Sequence, residues 1–243
     1  MRSLLKKEIL GFISSLSGYV VIFIFLLVTS LFLWVFPGEM NITDAGYSTL
    51  EPLFFIAPWV FLFLVPAVTM RMFAEEKRSG TLELLLTRPL TSMQIIWAKY
   101  LAAIILVLLA LVPSLVYFLS VYILGSPPGN IDTGGTWGSF IGLFFLAAIY
   151  AAIGIFASSL TENQIISFLL AVIISFLLYS GFDMLSGLPL LKKAESFVLY
   201  LGINEHYKSL SRGVIDSADI VYYLGMIGLF LLLTRTSLES RKW

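Results

Sequence analysis

Residues 73–91 read FAEEKRSGTLELLLTRPLT. Charged residues come first, then a turn, then a leucine-rich run. That run is too short to cross a bilayer, which takes about 20 mostly apolar residues. A long apolar stretch lies on either side. Either the segment breaks up a soluble core or it separates two membrane spans, and composition decides. Of 243 residues, 59% are hydrophobic and 12% charged, with a mean hydropathy of +0.96. A soluble domain does not bury that much apolar surface, so the solvent for most of the chain is lipid.

Working outward, six segments are long and apolar enough to span, at about 18–36, 52–72, 97–124, 137–160, 164–184 and 218–234. The rest reads as linker, giving one polytopic all-α membrane domain over 1–243. The MRSLLKKE start lacks a small-residue cleavage site, so the first apolar run is read as a retained helix. Lysine and arginine set the orientation. Arg2, Lys6, Lys7, Arg71, Lys77, Arg78, Arg88, Lys99, Arg235, Arg241 and Lys242 fall on one side, against Lys192, Lys193, Lys208 and Arg212 on the other. Both termini are therefore expected in the cytoplasm. Trp34 and Trp137 would anchor the outer interface and Trp97 the inner one. Loop 185–217 is half apolar but interrupted, and is expected to form an outer re-entrant or interfacial segment between helices 5 and 6.

Several function classes are disfavoured. The net charge is zero, which argues against a nucleic-acid partner. With no cysteine and one histidine, His206, a cysteine zinc site or a histidine cluster cannot form within one chain. No ionisable residue lies deep in a span, unlike ion-coupled transporters. Asp183, at the outer end of span five, reads as a water-contacting interface residue. No serine elbow, zinc-protease or Walker A pattern occurs, so no enzyme activity and no cofactor are expected. His206 near Ser209 and Ser211 could suggest a nucleophile, but a lone loop histidine reads as a surface residue. Pro52, Pro58, Pro66 and Pro113 in spans two and three could be gating kinks, or could be tolerated because neighbours satisfy the freed carbonyls.

On the cytoplasmic side, LLKKEILGFISSL (4–16) places apolar residues on one helical face. It reads as an amphipathic helix on the inner leaflet, with Lys6, Lys7 and Glu8 at the membrane interface. An overhang of span one is the alternative, although Gly11 and Gly18 favour a break. In the opening stretch, Glu75, Glu76, Lys77 and Arg78 extend span two, and Ser79-Gly80 turns. Thr81 to Thr87 then make about two helical turns with Leu82, Leu85 and Leu86 on one side and Glu83 off that patch. Pro89 stops the helix. Thr91 and Gln94 are spaced as a capping box for the next one, and Trp97 and Lys99 carry it into the interface. The leucine patch either meets a partner or folds back on the protein's own inner face.

The run FAEEKRSGTLELLLTRPLTSMQIIWAKY resembles the cytoplasmic signature of ABC-2 type transporter permeases, E-E-[KR]-x-x-G-T-L-E-x-L-L-x-x-P-[LV]-[ST] and then a basic residue. The match falls on Glu75, Glu76, Lys77, Gly80, Thr81, Leu82, Glu83, Leu85, Leu86, Pro89, Leu90, Thr91 and Lys99. The KKE run and AIGIFASSLTENQ (152–164) are similar too. The tail SLSRGVIDSADIVYYLGMIGLFLLLT is most similar to gliding-motility-associated permeases, with permeases of nitrous-oxide reductase maturation as the alternative. The resemblance implies a permease subunit in the bacterial inner membrane, paired with a second copy or another membrane subunit. In the gliding-motility subgroup that second subunit carries a large periplasmic domain. It also implies cytoplasmic ABC ATPase subunits, each gripping the short helix after span two and driving export or conformational work. A membrane scaffold or assembly factor that moves no substrate is a further alternative. Membrane lipid is the remaining expected partner.

Overall fold

The computed structural model describes residues 1–86, 90–189, 192–214 and 216–240. Within them the chain is helical, with no strand. Six helical stretches are long and apolar enough to cross a membrane: Gly18–Val35, Glu51–Arg78, Ser92–Leu124, Thr133–Leu160, Gln164–Ser186 and Ser217–Glu239. They match the six stretches of the sequence. The last runs about one turn longer than its apolar run, and Arg235 and Glu239 pair at 2.8 Å across that turn.

Helix α1 (Arg2–Ile13) is separate from α2 (Leu16–Ser30). Ser15 is extended between them, with φ −97° and ψ 142°, so 4–16 is not an overhang of span one. A Cβ at Gly18 would lie 2.4 Å from the Phe12 carbonyl oxygen, so only glycine permits this close fold-back. α1 packs against α7 (Ser92–Leu124). After the short α3 (Ile42–Ala45), span two is α4 (Glu51–Thr69), a one-residue interruption at Met70, and α5 (Arg71–Arg78). Span one ends in a π-helical turn at Leu31–Val35, and span five contains one at Leu177–Gly181 before its last turn.

The core is built on α8 (Thr133–Leu160). Its stretch Leu146–Ile153 is buried without a break. Small residues on it let neighbours approach closely. Around α8 pack α4, α7, α9 (Gln164–Phe176), α12 (Ile203–Ser211) and α13 (Ser217–Glu239). Loop 185–217 holds the end of α10 (Phe182–Ser186), α11 (Glu195–Leu201) and α12. α12 buries Ile203, His206, Tyr207 and Leu210, a three-and-four spacing that puts one face on the bundle.

The span-two prolines lie inside a continuous α4. Pro58 has no N–H, so the Phe54 carbonyl four residues earlier loses its helical donor. The Tyr207 hydroxyl donates to that carbonyl at 2.8 Å. At Pro58 a neighbour thus fills the gap.

Candidate functional site

The segment after span two is held by serine chemistry. The Ser158 hydroxyl accepts from the amides of Phe73 and Ala74, at 2.9 and 3.0 Å, and donates to the Met70 carbonyl at 2.8 Å. A side chain has entered the backbone ladder where α4 gives way to α5, a recognised cause of helix breaks. One turn earlier, a Cβ at Gly154 would lie 1.9 Å from Thr69 Oγ1. The next residue, Ser159, offers its carbonyl to the Lys77 ammonium and to the Ser237 hydroxyl, at 3.1 Å. Cations near a helix C-terminus meet carbonyls that lack an intrahelical donor. α5 and α13 therefore converge on the last turn of α8.

α5 ends at Ser79, and Gly80 takes φ +68°, the left-handed conformation that favours glycine after a helix. The chain re-enters α6 (Thr81–Leu86) at once. The Ser79 and Thr81 hydroxyls lie 2.8 Å apart. The α7 start is the expected capping box, in which the Thr91 hydroxyl accepts from the Gln94 amide at 3.3 Å and the Gln94 side chain accepts from the Thr91 amide at 3.1 Å.

Lys99, expected at the interface, is instead 1% exposed. Its ammonium lies 3.0 Å from Glu8 Oε1 and 2.8 Å from Glu76 Oε1, and 5.2 Å from the centroid of the Phe73 ring. One cation thus joins α1, α5 and α7. The second oxygen of Glu76 is buried without a hydrogen-bond partner. Beside this cluster the Arg71 guanidinium sits 4.5 Å over the Phe12 ring. Lys7, Arg71, Glu75 and Thr81 line an adjoining cavity of about 350 Å³.

The residues singled out in sequence therefore divide. Glu75, Gly80, Thr81 and Glu83 are exposed, Glu76 is half-buried, and Lys77 and Leu82 are buried. Leu82 belongs to the hydrophobic core rather than to a projecting patch. Leu85 and Leu86 lie on α6, but their side chains fall outside the described part, as do Arg88, Pro89, Arg241 and Lys242. Lys6 and Lys7 are exposed. Glu8, expected at the membrane interface, is drawn into the Lys99 cluster. Its sequence signal was an acid among the basic residues of α1, complementary to a lone cation at the head of the next span but one.

At the opposite end His206 is 5% exposed, not a surface residue. Nδ1 lies 2.6 Å from Asp219 Oδ1, Nε2 lies 2.9 Å from the Tyr200 carbonyl, and the ring stacks on Tyr222 at 3.8 Å. Both nitrogens are occupied by structural partners. Ser211 donates to the Lys208 carbonyl at 2.9 Å, so no serine–histidine pair forms there. Asp183 accepts from the Asn204 amide and lies 3.7 Å from the Lys208 ammonium. It ties span five to α12 rather than merely meeting water. Burial pushes the Tyr207 phenol well above its ordinary range, which keeps it a donor to Phe54. Among the described residues, no three His, Cys, Asp or Glu side chains gather to hold a metal ion.

Sequence reasoning did not single out Gly154, Ser158 or Ser159. Small residues four apart in an apolar run are the signal for close helix packing, and here they receive the segment after span two. The family model described as ABC-2 family transporter protein matches residues 2–243. No curated protein matches the chain.

Proposed function

Because the chain belongs to the ABC-2 family of transporter proteins, we propose that it is the permease subunit of an ATP-binding cassette complex in which a separate ATPase engages α6. Members of this family are multi-pass membrane components of ABC transporters and normally partner with a cytoplasmic ATPase. The observation that supports the reading is how α6 is mounted. Its exposed Thr81 and Glu83 follow directly on α5, whose Glu76 and Lys77 reach α7 and α8. A push on α6 would be felt by spans two, three and four together. In this reading α6 and both termini face the cytoplasm across the bacterial inner membrane. Two permease subunits pair, either identical or with a second membrane subunit bearing a periplasmic domain. ATP hydrolysis drives export or conformational work, in gliding motility by the resemblance of residues 209–234.

The test is co-purification of the full chain with a candidate cytoplasmic ABC ATPase subunit expressed alongside it. Reversing an exposed charge at an interface typically weakens binding, and Glu83→Arg is expected to lower the ATPase retained by about fivefold or more. Retention equal to wild type would remove α6 as the docking element.

A further inference from the structure

A cavity of about 720 Å³ opens at the end of the bundle opposite α6. Two of its walls have different chemistry. α4 contributes Glu51, Phe55 and Trp59, and α12 with its C-cap contributes Asn204, Lys208 and Arg212. Each set recurs every four residues, so each lies along one helix face. One wall therefore runs from a carboxylate to two aromatic rings. The other carries an amide and two cations.

Four charged residues line this cavity; Asp132 caps α8, accepting from the Gly135 amide at 3.0 Å, and the other three are not matched to each other. Among the described residues, neither the Glu51 carboxylate nor the Arg212 guanidinium has an ion pair or a side-chain hydrogen bond, although both line the same space. Lys208 is held only loosely, 3.7 Å from Asp183. Opposite charges left unpaired across one cavity fit a ligand that carries both signs. Phe55 is 60% and Trp59 37% exposed, so the aromatic wall is open along the span surface. In a multi-pass membrane protein, acyl chains lie against that surface.

We propose that this cavity binds the head group of a zwitterionic phospholipid. The phosphate sits on Arg212 and Lys208, since a guanidinium suits phosphate geometry. The ammonium sits on Glu51 beside the Phe55 ring, where a carboxylate and an aromatic face both attract a cation. The glycerol and the upper acyl chain lie along Trp59. An anionic lipid would satisfy the cations but place no positive group on Glu51. This site is independent of α6 and of any ATPase.

The experiment is native mass spectrometry of the full chain in mild detergent, titrated separately with phosphatidylethanolamine, phosphatidylcholine, phosphatidylglycerol and water-soluble glycerophosphoethanolamine. Both zwitterionic lipids are expected to bind about tenfold more tightly than phosphatidylglycerol, the scale of one charge-assisted contact. Glu51→Gln is expected to remove that preference. Arg212→Gln is expected to weaken phosphatidylethanolamine by about tenfold. Both side chains are exposed, so the variants should fold, and an unchanged unfolding temperature in detergent checks this. Phosphatidylethanolamine with brominated chains should quench tryptophan fluorescence, and Trp59→Phe should reduce the quenching. The proposal is overturned if phosphatidylglycerol binds as tightly as phosphatidylethanolamine. It is also overturned if Glu51→Gln with Arg212→Gln changes nothing, or if glycerophosphoethanolamine binds as well as the intact lipid.

Discussion

α5 and α12 are both amphipathic helices at the ends of the bundle, and they are tied down differently. α5 depends on charge gathered at one point, with Lys99 holding Glu76 of α5 and Glu8 of α1. α12 depends on several separate contacts. Ile203 and Leu210 are fully buried, Tyr207 donates to Phe54, and His206 bridges Asp219 and Tyr200. An ion cluster joined through one cation fails as a whole when that cation is removed, because two half-buried carboxylates are left facing each other. A distributed set of separate contacts fails piece by piece. The end that holds α6 is thus a concentrated joint, and the opposite end is a seam.

Four substitutions test this contrast. The largest effect is expected from Lys99→Met. It leaves the half-buried Glu8 and Glu76 facing each other without their cation and should cost about 3 kcal/mol in detergent unfolding, at the lower end of what a fully buried cluster loses. A loss below about 1 kcal/mol would show that the joint is not centred on Lys99. Tyr207→Phe should cost about 1–3 kcal/mol, since the Phe54 carbonyl is left unpaired in an apolar setting. In a Pro58→Ala background the same change should cost little, because the restored amide at position 58 takes that carbonyl. Equal costs in both backgrounds would break the link between Pro58 and Tyr207. Arg235→Ala removes an exposed pair one turn apart and should stay within about 0.5 kcal/mol. A larger loss would mean that exposed charge matters here as much as buried charge.

Local chemistry made much of this legible in sequence. The six apolar runs, the Gly80 turn and the Thr91–Gln94 box depend on neighbours in the chain, and each stands where spacing placed it. The family signature at 73–91 also pointed to α5 and α6. What spacing could not show was which way each side chain of that signature turns. Leu82 and Lys77 point inward because Ser159 and the core lie beside them, and that depends on α8. Lys99 reads as an interface anchor until α1 folds back and brings Glu8 to it, 91 positions away. His206 reads as surface because its partner Asp219 follows a loop with no periodicity of its own. The partner of Pro58 lies 153 positions from Phe54, beyond any local pattern.

The Ser158 hydroxyl has a mechanical consequence. Three hydrogen bonds converge on it where α4 passes into α5, making that point a fulcrum. The Ala74 amide is the last of these contacts, and from there to Gly80 the chain runs six residues, an arm of about 9 Å at 1.5 Å per residue. A tilt of about 10° about that fulcrum moves Gly80 by about 1.5 Å, while Glu76, two residues along, moves about a third as far. A stroke of about 3 Å at the tip would thus reach the Lys99 joint as a displacement of about 1 Å, enough to lengthen a 2.8 Å ion contact beyond hydrogen-bonding distance. The gearing between tip and joint is set by where one serine meets the chain.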